Sequence, residues 1–520
     1  MMSLATEEGV LSKLPSRRRL MHCSFYADDV ALFMNPSESD ARMVKLLLDC
    51  FANVSGLRTN ASKSMALPIR CDASALSRIL APLSIPIQQF PTTYLGMPLS
   101  LRNLTKVDLE PLVLKFGNKL PLWKGGLMAK SGRLVLLKSN LASLAVYMMA
   151  VHRLPAWVLK CMTQICRAWL WTGEDTCSGS HCRVAWSLLC RPKHLGGLGV
   201  MDFGKFGLAL RLRWMWLAWR EPDRPWAQGP LPCDSVEQEL FSMATSITIG
   251  DGARTNFWND RWLKGQCPKS IAPTLYSISM RKNRSVREAL TNETWLADLA
   301  KGLTEHMIPE LTALASLLEA VQLQHDQHDT ISWRLSQDGK YSASSAYLVQ
   351  FEGSIPMDGY KLISDAWAPA KCRFFIWTAI LGKILTADAL LRHGWENNYF
   401  CPFCMRNLET PFHLIVDCWW SKDIWNSIST LACYPSLNPA TWDGSFGLKD
   451  RMTSCVHQAA DERRKGTLSL IQLIAWELWR ERNRRIFQQE TLPKAALVRM
   501  IKDEIRLWNM AGAGLPFDPG

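Results

Sequence analysis

Four side chains with metal-ligating chemistry stand at the spacing C-x2-C-x8-H-x4-C: Cys401, Cys404, His413 and Cys418. Two thiolates two residues apart form a knuckle that grips one edge of a tetrahedral ion. The stretch Glu409-Thr410-Pro411-Phe412-His413-Leu414 predicts the start of a helix that carries His413 and Cys418 to the other edge. A C-x-x-C can also be a redox pair, but no thioredoxin-like βαβ pattern surrounds this one. With all four positions filled by protein, the ion expected is a structural Zn²⁺ without an open place for a catalytic water.

The chain that must fold around this centre has 520 residues, 48% of them hydrophobic, enough for three or four domains. Met1 to Leu20 is polar, with Arg17-Arg18-Arg19 and no apolar core behind them, so no secretory signal is read. The most apolar stretch, Leu141 to Leu159, is broken by His152, Arg153 and Pro155, and no membrane span is expected. Sixteen cysteines scattered irregularly point to reduced thiols, and hence to an intracellular protein, nuclear or cytoplasmic, that is not secreted.

Charge is localised. Residues 101–220 hold 18 Lys/Arg against five Asp/Glu, a balance of +13 that equals the formal charge of the whole chain. The same region reads as consecutive helices. Leu109, Leu112, Phe116 and Leu120 keep helical spacing before the Gly125-Gly126 break, and Leu127 to Ala150 follows. Another helix opens at Pro155 with Val158, Met162, Ile165 and Trp169 on one face. Lys124, Lys130, Arg133, Lys138, Arg167, Arg183, Arg191 and Lys193 are candidate phosphate contacts for RNA or DNA, and the alternative is a solvated face. Gly196 to Gly199 lacks the strand–loop–helix frame and lysine of a phosphate loop. Cys177, His181, Cys182, Cys190 and His194 have ligand chemistry without ligand spacing.

Near the beginning, Tyr26-Ala27-Asp28-Asp29 lies between two apolar runs, Met21 to Phe25 and Val30 to Met34, which read as paired strands. Two adjacent carboxylates at a tight turn are the hard oxygen ligands that Mg²⁺-dependent phosphoryl transfer requires. A solvated hairpin turn also uses Asp freely. Ser37 or Ser39 then caps a helix with Met43, Val44, Leu47, Leu48 and Phe51 on its apolar face, closed by Gly56.

The flanking order resembles the second half of a reverse-transcriptase palm. The hairpin and helix are followed by Gly56-Leu57-Arg58-Thr59-Asn60-Ala61-Ser62-Lys63-Ser64 and by Tyr94-Leu95-Gly96-Met97-Pro98-Leu99. The chain is similar to the polymerase of plant LINE-type non-LTR retrotransposons. That resemblance implies that Asp28 and Asp29 take the metal-binding positions and that Lys63 takes the place of a lysine proposed to protonate pyrophosphate. It also implies that the Tyr94 segment grips the primer end. Trp186 to Lys193 with Gly196 to Val200, and Gly250-Asp251-Gly252 with Phe257 to Trp262, match further segments of these elements; for neither does the spacing supply a chemistry. Residues from Trp333 to Trp425 resemble the zinc-binding domain that follows the polymerase, and Leu468 to Phe487, with Arg480, Arg482, Arg484 and Arg485, resembles a segment near the ends of these proteins.

In the family a further Asp and a nucleotide-pocket segment lie upstream of the hairpin; here about twenty residues precede it. The expectation is a truncated element, inactive alone, that uses Mg²⁺ only if the palm is completed. The fold expected is α+β and predominantly helical: a partial palm over 1–100, a basic helical thumb or connector over 101–220 and a Trp-containing connector over 221–330. A zinc-binding domain over 331–430 and a helical region over 431–520 complete it. Two other readings stay open, a non-catalytic nucleic-acid-binding protein and a structural protein-interaction module whose Trp-rich helices bind another protein.

Overall fold

The computed structural model describes residues 1–14, 22–227, 229–299, 302–442, 444 and 447–515. Arg17-Arg18-Arg19 lies outside the described residues. Strand β1 (Cys23–Tyr26) pairs antiparallel with β2 (Asp29–Leu32), Tyr26 opposite Asp29. The Ser37 side chain accepts from the Asp40 amide and starts helix α1 (Glu38–Ser55), which ends at Gly56 in the left-handed region, φ 75°. A second hairpin joins β3 (Thr92–Tyr94) to β4 (Met97–Leu99) through Leu95 and Gly96, both at positive φ. Two central residues with φ > 0 match the twist of the strands they connect, which is why a glycine stands there.

The longer helices that follow are α2 (Lys106–Gly117), α3 (Lys130–Val151), α4 (Ala156–Trp171), α5 (Phe203–Arg220) and α6 (Ser235–Ala244). Strand β5 (Thr245–Thr248) pairs antiparallel with β6 (Thr330–Trp333), and the intervening chain contains α7 (Ile308–Glu319). Helices α8 (Ala370–Ile380), α9 (Trp419–Leu431), α10 (Leu448–His457), α11 (Arg464–Asn483) and α12 (Lys494–Met510) complete the order. The class is α+β and mainly helical, with sheets of two strands each among the described residues. Among the described residues no helix is long and apolar enough to cross a membrane.

The chain divides into two compact units. The first comprises Met1–Leu114, Tyr147–Leu154 and Gly207–Tyr347, the second Lys115–Val146, Pro155–Phe206 and Leu348–Gly520. These units do not follow the five segments drawn from the sequence, since 101–220 and 331–430 each contribute to both. In the first unit, Phe257, Trp258, Trp262 and Trp295 pack with Leu275 and Leu314, and a neighbouring cluster joins Leu212, Trp216, Phe241 and Trp333. The buried Arg211 guanidinium meets Glu237, which also closes a capping box with Asp234. In the second unit one core runs from Leu362 to Leu515. Helix α11 is buried on nearly every face, from Gly466 to Arg482, as expected of a helix at a core's centre.

Candidate metal centre and basic face

Local backbone geometry brings the four ligands together. The Cys401 carbonyl accepts from the Met405 amide at 2.8 Å, the Cys401 amide donates to the Asn407 carbonyl at 2.8 Å, and Met405 takes φ 53° to close the knuckle. A helix begins at Pro411, and residues His413–Asp417 continue it as a π turn, with the Cys418 amide donating to the His413 carbonyl at 2.8 Å. This wider turn carries His413 inward and leaves Cys418 as the residue that caps α9. All four ligand atoms are buried and lie within 4.8 Å of one another. Cys401 and Cys418 Sγ are 3.9 Å apart, and Cys404 Sγ is 3.3 Å from His413 Nε2. Two sulfurs each about 2.3 Å from a tetrahedral Zn²⁺ stand roughly 3.8 Å apart, so the donor set fits the ion.

Electrostatics at the cluster favour thiolate at two of the three cysteines. The hydrogen bond from Cys401 pulls Cys418 down to about 4, helped by His413 and by the Ser421 and Trp420 amides at the start of α9. Burial works against ionisation of Cys404, but the amides of Asn407 and Arg406 outweigh it and lower its pKa. Cys401 is raised, first by its bond to Cys418 and then by burial. The other ring nitrogen of His413, Nδ1, faces the Asp417 carboxylate at 3.8 Å, the arrangement by which outer carboxylates orient metal-bound imidazoles.

The hairpin carboxylates are placed differently. Ala27, at φ 52°, and Asp28 form the two-residue turn, Asp29 is the first residue of β2, and Asp28 and Asp29 are both exposed. Among the described residues no third His, Cys, Asp or Glu joins them in a ligand cluster. Lys63 is exposed on a turn organised by Asn60, whose Oδ1 accepts from the Ser62 amide at 3.0 Å and the Lys63 amide at 3.3 Å.

The eight basic candidates separate by burial. Lys124 and Lys193 are exposed, while Lys130, Lys138, Arg167, Arg183 and Arg191 are half-buried. Arg133 is only 8% exposed. Its Nε donates to the Gly125 carbonyl at 2.9 Å and its Nη1 to the Leu170 carbonyl at 3.5 Å, so its charge ties the helices together inside the unit and does not face outward. Lys138 donates to the Leu198 carbonyl, Lys130 lies 5.6 Å from the Trp171 ring, and Arg191 donates to the Ile355 carbonyl at 3.3 Å. Among the described residues none of the eight is in an ion pair with a carboxylate. Burial pushes Lys130 down to about 8, with Arg183 and Arg133 adding repulsion. Burial likewise pushes Lys138 down to about 8, with Lys193 and Arg373 adding to it. Arg373, on α8, is a cation that sequence distance hid.

Two segments without an assigned chemistry acquire a structural one. The buried Asp329 carboxylate accepts from the amides of Gly250 and Gly252 at 2.8 Å, of Arg254 and Thr255 at 3.1 Å, and from the Thr255 hydroxyl at 2.8 Å. A Cβ on Gly250 would stand 2.2 Å from the Gln327 carbonyl oxygen, so the glycine is required by close approach. The Gly196 carbonyl accepts from Trp377 Nε1 at 2.8 Å, and a Cβ there would stand 2.0 Å from the Met357 Cβ, so this loop is used for packing. Cys177 and Cys182 are brought to 3.7 Å without a third ligand among the described residues.

A family model described as zinc-binding in reverse transcriptase matches residues 341–425, a range that contains all four ligands. The chain is 23% identical over 362 residues to a protein of Arabidopsis thaliana named as a ribonuclease H protein, covering 63% of this chain and 57% of that one. It is 28% identical over 149 residues to an uncharacterised mitochondrial protein of the same plant, covering 24% of this chain and 96% of that one. The match with the first relative thus spans little more than half of that relative's length. The segment that carries the buried ligand set is thus similar to the zinc-binding part of reverse transcriptases, and the chain beyond it is similar to these two plant proteins.

Proposed function

We propose that this chain holds RNA or DNA as the C-terminal part of a LINE-type reverse transcriptase, on a basic helical face, beside a module braced by a structural Zn²⁺. The observation that carries the reading is the pair Lys130 and Lys138 on α3. Both are half-buried, neither meets a carboxylate, and Lys138 feels Lys193 and Arg373 where a folded protein ordinarily supplies an acid. Cations kept close together without counter-charges are stabilised when phosphates arrive. Zn²⁺ held by Cys401, Cys404, His413 and Cys418 would supply local stability and no catalysis, because the protein fills every position.

In the same reading, the β1–β2 hairpin is a palm fragment. Asp28 and Asp29 would hold Mg²⁺, which supplies the clamp on attacking and leaving oxygens in phosphoryl transfer. Lys63 takes the acid's place by resemblance alone. The hairpin is catalytically incomplete as it stands, a view supported by the absence of a third ligand beside it among the described residues and by the exposure of Phe25 (69%) and Tyr26 (63%). Side chains of that size are the surface a neighbouring strand or a partner covers.

Binding of labelled single-stranded RNA and DNA of unrelated sequences tests the proposal. Affinity is expected to fall with salt at a log–log slope near 0.7 per phosphate neutralised. Replacing Lys130, Lys138 and Lys193 together with Gln is expected to weaken every oligonucleotide about equally and to flatten that slope by about 2. Affinity that ignores salt, or a triple variant that binds as before, overturns it.

A further inference from the structure

Arg480, Arg482, Arg484 and Arg485, at the end of the apolar run that opens at Leu468, each meet a carboxylate. Arg485 Nε donates to Glu481 Oε1 at 2.8 Å, and Nη1 donates at 3.1 Å to the carbonyl of Pro402, inside the knuckle. The guanidinium lies 4.9 Å from the Phe403 ring and 4.5 Å from the Trp420 ring, and those two rings are stacked with centroids 4.5 Å apart. Pro402 and Phe403 stand between Cys401 and Cys404; Trp420 follows Cys418 by two residues. One side chain therefore touches both ligand-bearing segments.

Arg482 performs the parallel task for the chain between Cys404 and His413. It grips the buried Glu409 carboxylate at 2.6 and 2.9 Å and donates to the Leu385 carbonyl at 3.1 Å, while Glu409 also accepts from the Ala387 amide at 2.8 Å. Glu481, fully buried, receives Arg484, Arg485 and the Leu492 amide, and so ties the link between α11 and α12 to the same array. A planar guanidinium can stack on rings and donate in its own plane at once, which an ammonium cannot.

We propose that Arg485 is a positioning residue of the metal centre, clamping the knuckle to the His413–Cys418 segment, so that metal retention and the packing of α11 and α12 form one cooperative event. The proposal rests on the zinc reading above. It enlarges the module by some sixty residues beyond the matched range, which ends at 425.

The test uses the full chain loaded with Zn²⁺, with release followed by a chromophoric chelator. Wild type, Arg485→Ala, Arg485→Lys and, as control, the exposed α12 variant Arg499→Ala are each expected to take up one zinc per chain. Release is expected to be about tenfold or more faster in Arg485→Ala, intermediate in Arg485→Lys, and unchanged in the control. With Co²⁺ substituted, the visible bands of the tetrahedral site should shift in Arg485→Lys and stay as in wild type in Arg499→Ala. Loss of metal should open residues 489–493 to protease in every variant. Should Arg485→Ala fail to fold, Arg485→Lys decides through release rate and Co²⁺ bands together. Wild-type release and bands in the variants overturn the clamp and leave the zinc reading standing; a wild-type chain that retains no zinc overturns the zinc reading itself.

Discussion

Asp329 shows how a single carboxylate can organise a loop that spacing alone left without a purpose. Five donors converge on it, and although burial disfavours its charge, they hold its pKa below the usual value. Asp329→Ala leaves several buried donors unpaired and should cost about 3 kcal/mol or more, read as a lower denaturation midpoint by tryptophan fluorescence; an unchanged midpoint would show that the loop does not need it. Lys130 and Lys138 make the opposite case. The folded chain sheds their protons near pH 8 and the unfolded chain near 10.5. Between these values the unfolded state binds more protons, so their contribution to stability rises with pH. Nucleic-acid affinity should run the other way, falling as pH climbs from 7 to 9 because phosphate prefers the charged amines. A flat titration across that range would remove both lysines from the interface. Arg133, by contrast, is a charge that the sequence shows and the fold hides. Sequence counting weighs all cations equally, and burial is what sorts them.

At the scale of elements, the cluster of Cys401, Cys404, His413 and Cys418 was legible because its members are close in sequence and their spacing suits zinc's tetrahedral geometry. The π turn at His413–Asp417 was not, since it is selected by packing: the Leu414 carbonyl accepts from the Ser421 hydroxyl at 2.6 Å and the Ile415 carbonyl from Trp425 Nε1 at 2.7 Å. Small zinc modules draw on the order of 10 kcal/mol from the metal. Chelation, or Cys404→Ser, should therefore strip zinc and expose the 395–420 region to protease. Metal analysis finding no zinc, or a Cys404→Ser chain that keeps both its zinc and its protease resistance, would refute this. The helix break at Gly56 and the start at Pro155 were readable because glycine and proline act locally through φ, whereas Gly125 is required by the close approach of the Gly173 carbonyl, 1.9 Å from where a Cβ would stand.

For the whole molecule, the β1–β2 hairpin offers two carboxylates and no third partner among the described residues. The purified chain is accordingly expected not to extend a primed template in Mg²⁺. Template-dependent incorporation that disappears in Asp28→Ala would refute this.

Ligand identity, turn chemistry, helix termini and the basic excess of 101–220 came from the sequence by itself, because each depends on a few neighbouring residues or on a sum. The tertiary structure alone decided which cations are exposed, which glycines are needed for close approach, and why Arg482 and Arg485 stand where they do. Those answers depend on partners 73 and 83 residues away, Glu409 and Pro402, and one sequence carries no signal for contacts at that range.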